Sequence, residues 1–196
     1  MSKNLKKRIY TSIGLIFSLL LMIINNYILG FFLLTLGILS ILEFFKINLI
    51  LHKKNKFLLL ITNLIFIFYI AIFCGSFLMF SDFFHLKIII FTILLTCAAS
   101  DMGGFICGKI FKGPKLTKIS PNKTITGSLG SFVFSTGVLL FLINYLTNTI
   151  DLTIVIVGLM TSLGAQLGDL FFSYLKRKSN LKDTGNFLPG HGGILD

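Results

Sequence analysis

Seven acidic residues occur in this 196-residue sequence, and four of them lie in or beside its two long polar stretches, 101–128 and 173–196. These are Asp101, Asp169, Asp183 and Asp196. The sharpest is Asp169, in Gly164-Ala165-Gln166-Leu167-Gly168-Asp169 near the end of an apolar run. A carboxylate there is expected to face a cavity or a cation, because one at a bilayer centre costs about 2.5–3.5 kcal/mol. On a helix, Asp169, Ser173, Lys176 and Arg177 share one face by the i, i+4, i+7 relation. A carboxylate followed by cations one and two turns on can hold a divalent ion and the phosphates it bridges. Magnesium takes one or two carboxylates and completes its shell with water and phosphate oxygens. The other acids, Glu43, Asp82 and Asp151, read as solvated helix ends.

Two loops add groups that bind anions. Ser120-Pro121-Asn122-Lys123-Thr124-Ile125-Thr126-Gly127 offers a mobile ammonium and hydroxyls for phosphate oxygens. Five lysines between 109 and 123 make a positive funnel for a polyanion. The stretch Gly103 to Lys109 matches the stem of a phosphate-binding P-loop. However, Ile110 stands where that loop needs Ser or Thr, and an apolar helix precedes it instead of a strand, so the match is rejected. Gly104-x-x-x-Gly108 reads instead as a close helix-packing face. In the tail, Gly185, Gly190, Gly192 and Gly193 let the backbone turn tightly; His191 between glycines is a phosphate contact or a turn cap.

The elements that must carry these residues are membrane helices. The chain is 55% apolar and 13% charged, where soluble domains carry about 25% charged residues, and its mean hydropathy is +0.91. This excludes an ordinary soluble globule, a disordered tail and a coiled coil. Apolar runs at 9–25, 27–45, 57–80, 86–100, 129–147 and 151–172 predict six spans, all α because lipid leaves backbone groups no other partner. The fourth is expected to end at Asp101. Of the 18 Lys and Arg residues only Lys87 falls outside one alternating set of loops, which predicts both termini in the cytoplasm. Lys87, on the far side, is expected to matter little. The net charge of +11 is read as this bias, favouring anionic lipids and phosphorylated substrates and not nucleic acid. The 22 Phe residues are read as lipid-facing and packing material. Cys74, Cys97 and Cys107 make neither a disulfide framework nor a zinc pattern. The basic start leads into an uncleaved first span.

At the tail the residues resemble the signature of the phosphatidate cytidylyltransferases, or CDP-diglyceride synthases. Ser173, Lys176, Arg177, Lys182, Asp183, Gly185, Leu188, Pro189, His191, Gly192, Gly193 and Asp196 occupy its positions at the right spacing. Asp101 and the run from Ser120 to Gly127 resemble the family's upstream acidic and Ser-Pro-x-Lys-Thr-x-x-Gly region. The resemblance covers roughly residues 100–196. The family pattern continues past the last Asp with Arg and a further hydrophobic segment, so a shortened member is expected.

The resemblance implies transfer of a cytidylyl group from CTP to phosphatidate, with magnesium and, as an optional second cation, potassium. It implies Asp169 and Asp196 as metal ligands, with Asp183, Lys176 and Arg177 beside them in catalysis. Asp101, Ser120, Lys123, Thr124, Gly127, Ser173, Lys182, His191, Gly192 and Gly193 are implied in substrate binding. The expected architecture is an all-α, multi-pass bundle with residues 1–100 as N-terminal helices and 101–196 as the catalytic region at the cytoplasmic face of the inner membrane. The partners are CTP, phosphatidic acid and anionic lipids, with a homodimer left open. Competing readings are an isoprenoid ether-lipid cytidylyltransferase, an inactive shortened relative and, from another class, a small ion transporter using Asp101 and Asp169.

Overall fold

A computed structural model describes residues 3–117, 119–120, 123–187 and 192–196, without the side chains of residues 3–9. It contains six helices: α1 (Lys3–Ile24), α2 (Asn26–Leu51), α3 (Lys56–Ser81), α4 (Phe84–Phe111), α5 (Ile125–Thr147) and α6 (Leu152–Lys178). No strand occurs among the described residues. Helices α2 to α6 are each long and apolar enough to cross a membrane, while the apolar part of α1, Tyr10–Ile24, is shorter. The protein is a multi-pass membrane protein.

Polar residues punctuate the apolar runs. Asn25 ends α1 and caps α2, its Oδ1 accepting from Tyr27 N–H at 2.8 Å; Asn55 does the same for α3 through Leu58 N–H. Thr124 caps α5 by accepting from Gly127 N–H at 3.1 Å, and Asn148, left-handed at φ 54°, closes it. Such caps satisfy amides that the helix itself leaves unpaired.

One boundary departs from expectation. Helix α4 does not stop at Asp101 but continues to Phe111. Hydropathy falls at Asp101, yet nothing between 101 and 111 breaks a helix until Lys112 (φ 43°), Gly113 and Pro114. The glycines within that extension serve packing. A Cβ on Gly104 would lie 2.5 Å from the Ser131 Oγ, and one on Gly127 would lie 2.7 Å from the Gly104 carbonyl. Small residues thus let α4 and α5 touch backbone to backbone, as the Gly104-x-x-x-Gly108 spacing predicts.

The chain forms two compact units, Met1–Lys87 with Leu175–Asp196, and Ile88–Tyr174. In the first, α2 and α3 pack through stacked Phe44 and Phe66, with ring centroids 3.9 Å apart. Asn48 bonds the Leu59 carbonyl and the Thr62 hydroxyl of α3. Lys87 is not the indifferent outer residue the sequence suggests: it is 5% exposed and donates to Asn26 Oδ1 at 2.6 Å. A lone ammonium among apolar helices needs an acceptor, and the Asn25-Asn26 turn supplies it.

In the second unit a seam of hydroxyls runs beside buried Phe91, Ala99 and Leu139. Ser100 and Ser162 share a hydrogen bond of 2.8 Å, and Ser135 donates to the Gly158 carbonyl at 2.8 Å. Gln166 bonds Ser162 on its own helix and Ser128 on α5. Thr96, Ser100, Ser135 and Ser162 are fully buried. Interhelical bonds of this kind average about 0.6 kcal/mol each in membranes, so several together set the register of α4, α5 and α6.

Candidate active site

That register positions the first group of charges. Asp101 follows the tied Ser100 on α4, Lys123 immediately precedes the cap of α5, and Asp169 lies three residues beyond the tied Gln166 on α6. Lys123 and Asp169 form an ion pair, and Ser173 Oγ donates to Asp169 Oδ1 at 3.3 Å. Asp101 is close enough to feel both the Asp169 and the Lys123 charge. Lys123 thus pairs with Asp169, and a second acid, Asp101, lies within electrostatic reach of that pair. The Asp169 side chain is 45% exposed, so the cation it carries can be exchanged.

The second group is built in the tail-bearing unit. Asp196 Oδ1 accepts from Lys176 Nζ at 2.8 Å, and its carboxylate also accepts from the amides of Thr184, at 2.9 and 3.0 Å, and Gly193, at 2.7 Å. Its side chain is 8% exposed. Burial pushes this carboxyl up, but the bonds from Lys176, Gly193 and Thr184 and the lysine's charge outweigh it and hold the group below the usual carboxylate range. Gly192, at φ +107°, adopts backbone that disfavours a side chain, and a Cβ there would lie 2.6 Å from Asp196 Oδ2.

The remaining predicted residues are placed as follows. Ser120 closes a turn, its carbonyl accepting from Lys123 N–H. Thr124 is the α5 cap and Gly127 belongs to the α4–α5 crossing. Arg177, Lys182 and Asp183 are exposed. His191, with Lys118, Pro121, Asn122, Leu188, Pro189 and Gly190 of the two motifs, lies outside the described residues. Among the described residues no cluster of three or more His, Cys, Asp or Glu forms a metal cage.

The model of the cytidylyltransferase family matches residues 1–196. The chain belongs to that family. Among relatives of this chain, the phosphatidate cytidylyltransferase of Rickettsia conorii is 43% identical over 105 residues, 49% of this chain and 45% of its own length. That of Helicobacter pylori strain J99 is 39% identical over 104 residues, 53% of this chain and 39% of its own. That of Mycobacterium leprae is 36% identical over 108 residues, 55% and 35%. The chain thus spans less than half the length of the relatives it matches. No solved structure matches it.

One residue escaped the sequence reading. Glu43, taken as a solvated helix end, is buried in α2 and accepts hydrogen bonds from Thr184, Ile194 and Leu195. The signal was its type and place: a carboxylate inside a long apolar helix must have donors.

Proposed function

We propose that this cytidylyltransferase converts CTP and phosphatidate to CDP-diacylglycerol and pyrophosphate in phospholipid biosynthesis, as the names of its relatives suggest. The observation that carries this reading is the Lys123–Asp169 ion pair, in which the Asp169 side chain is 45% exposed, with the acid Asp101 within electrostatic reach. An open carboxylate held by a mobile ammonium suits a metal–nucleotide substrate.

The reaction asks little covalent chemistry of the protein. A phosphatidate oxygen, already ionised at neutral pH, attacks the α-phosphorus of CTP. The bond from that phosphorus to the β-bridging oxygen breaks, and pyrophosphate leaves. No side chain need take a proton, so the work is positioning and charge neutralisation.

Hard oxygen donors fit magnesium, and the family resemblance implies Asp169 and Asp196 as its ligands. When bound, the ion neutralises phosphate charge. Lys123 and Lys176, each now on one of those carboxylates, would turn to phosphate oxygens, and the exposed Arg177 and Lys182 add positive charge. Ser120, Thr124 and Ser173 offer hydroxyls. The bias of Lys and Arg among the loops supports a cytoplasmic active face on the inner membrane, beside anionic lipid.

The test is formation of CDP-diacylglycerol from labelled CTP and phosphatidic acid by the 196-residue chain in liposomes. Product is expected with magnesium and none with a chelator, and adding potassium reports on a second cation. An inserted chain that yields no product under these conditions overturns the reading.

A further inference from the structure

Glu43 is 5% exposed within the apolar α2. A buried carboxylate is costly unless donors surround it, and among the described residues every donor that bonds it comes from the tail. Ile194 N–H donates to Oε1 at 2.9 Å, while Leu195 N–H and the Thr184 hydroxyl donate to Oε2 at 3.0 and 2.8 Å. Two signature glycines close around the same group. A Cβ on Gly185 would lie 2.5 Å from Glu43 Oε1, and one on Gly193 would lie 2.5 Å from Oε2. Glycine stands at these positions because the carboxylate approaches the backbone there, independently of any substrate.

The connection to Asp196 is direct. Leu195, held by Glu43, is its immediate neighbour. Thr184 serves both acids, giving its hydroxyl to Glu43 and its amide N–H to Asp196. We infer that Glu43 is a positioning residue: it anchors the Gly-rich tail to α2 and thereby fixes Asp196 against Lys176. The consequence for catalysis rests on the function proposed above, whereas the anchoring does not.

Glu43→Gln separates the two. The amide keeps the volume of the carboxylate but turns an NH2 toward backbone N–H donors, so at least one bond is lost and a donor faces a donor. Amide hydrogen exchange of the full chain in liposomes reads the anchor. In Glu43→Gln, exchange at Ile194 and Leu195 is expected to quicken about tenfold or more. In the turnover assay kcat is expected to fall about tenfold while KM for phosphatidate stays within about twofold, because the contact acts on positioning and not on lipid binding. Thr184→Val should loosen the tail in the same direction, and Thr184→Ser, which keeps the hydroxyl, should restore its protection. That pair decides the matter if Glu43→Gln does not fold.

Wild-type exchange rates in both Glu43→Gln and Thr184→Val would overturn the anchor. Quickened exchange with an unchanged kcat would overturn the positioning role. A wild-type chain that turns nothing over, yet loosens its tail in Glu43→Gln, would sink the proposed activity and leave the anchor standing.

Discussion

The two charged groups of this protein satisfy their carboxylates in opposite ways. Asp169 is met by side chains alone, the Lys123 ammonium and the Ser173 hydroxyl, on helices whose register is set by hydroxyls below it. Asp196 and Glu43 are met mainly by backbone amides of the tail, from Thr184, Gly193, Ile194 and Leu195. A lysine can swing away and be replaced by another cation; an amide in the chain cannot leave without unfolding its loop. The first arrangement suits exchange and the second suits holding a shape. One group is therefore set mainly by what binds it, and the other mainly by how the tail folds.

The contrast breaks first at Asp169. Asp169→Asn removes the charge and almost no volume, so turnover should fall by about a hundredfold to a thousandfold, as when one key electrostatic group is lost. Thermal stability should stay within about 0.5 kcal/mol. Comparing the rate of CDP-diacylglycerol formation with a melting curve tests both halves, and a normal rate would end the assignment of Asp169 to the exchangeable cation. Lys176→Met is gentler. It takes one charge-assisted bond from Asp196, about 1.5–3 kcal/mol and so roughly tenfold to a hundredfold in rate. Because the amide donors remain, exchange at Thr184 and Gly193 should stay slow; fast exchange there would mean that the lysine and not the backbone holds the tail. Lys87→Met, remote in chemistry from both groups, should cost about 1 kcal/mol of stability by orphaning Asn26. Its turnover should match the wild type, and a lower melting temperature with a normal rate is the expected pattern.

Much of this could be read from the residues in order. The apolar runs marked the helices, and the Gly104-x-x-x-Gly108 spacing marked the contact of α4 with α5. The end of α4 was misread because hydropathy reports where lipid is preferred and not where helical hydrogen bonding stops. Asp169 and Lys123 were both singled out, but nothing in their neighbourhoods says that they pair with each other. Glu43 was missed for the same reason in stronger form. Its Thr184 partner lies 141 positions on, and no local pattern on α2 foretells donors in a tail. Local propensity and periodicity are short-range signals, whereas burial of a charge is decided by whatever the fold brings to it.

That long separation has a consequence for how the protein is made. A ribosome adding about 5–20 residues per second produces Glu43 about 7–30 seconds before Thr184, Ile194 and Leu195 exist. The hairpin of α2 and α3 therefore enters the membrane carrying an acid whose donors have not yet been synthesised. In that interval Glu43 must borrow water or lipid headgroups as partners. The arrival of the tail supplies its donors, so residues 184–195 complete the packing of a helix made well before them.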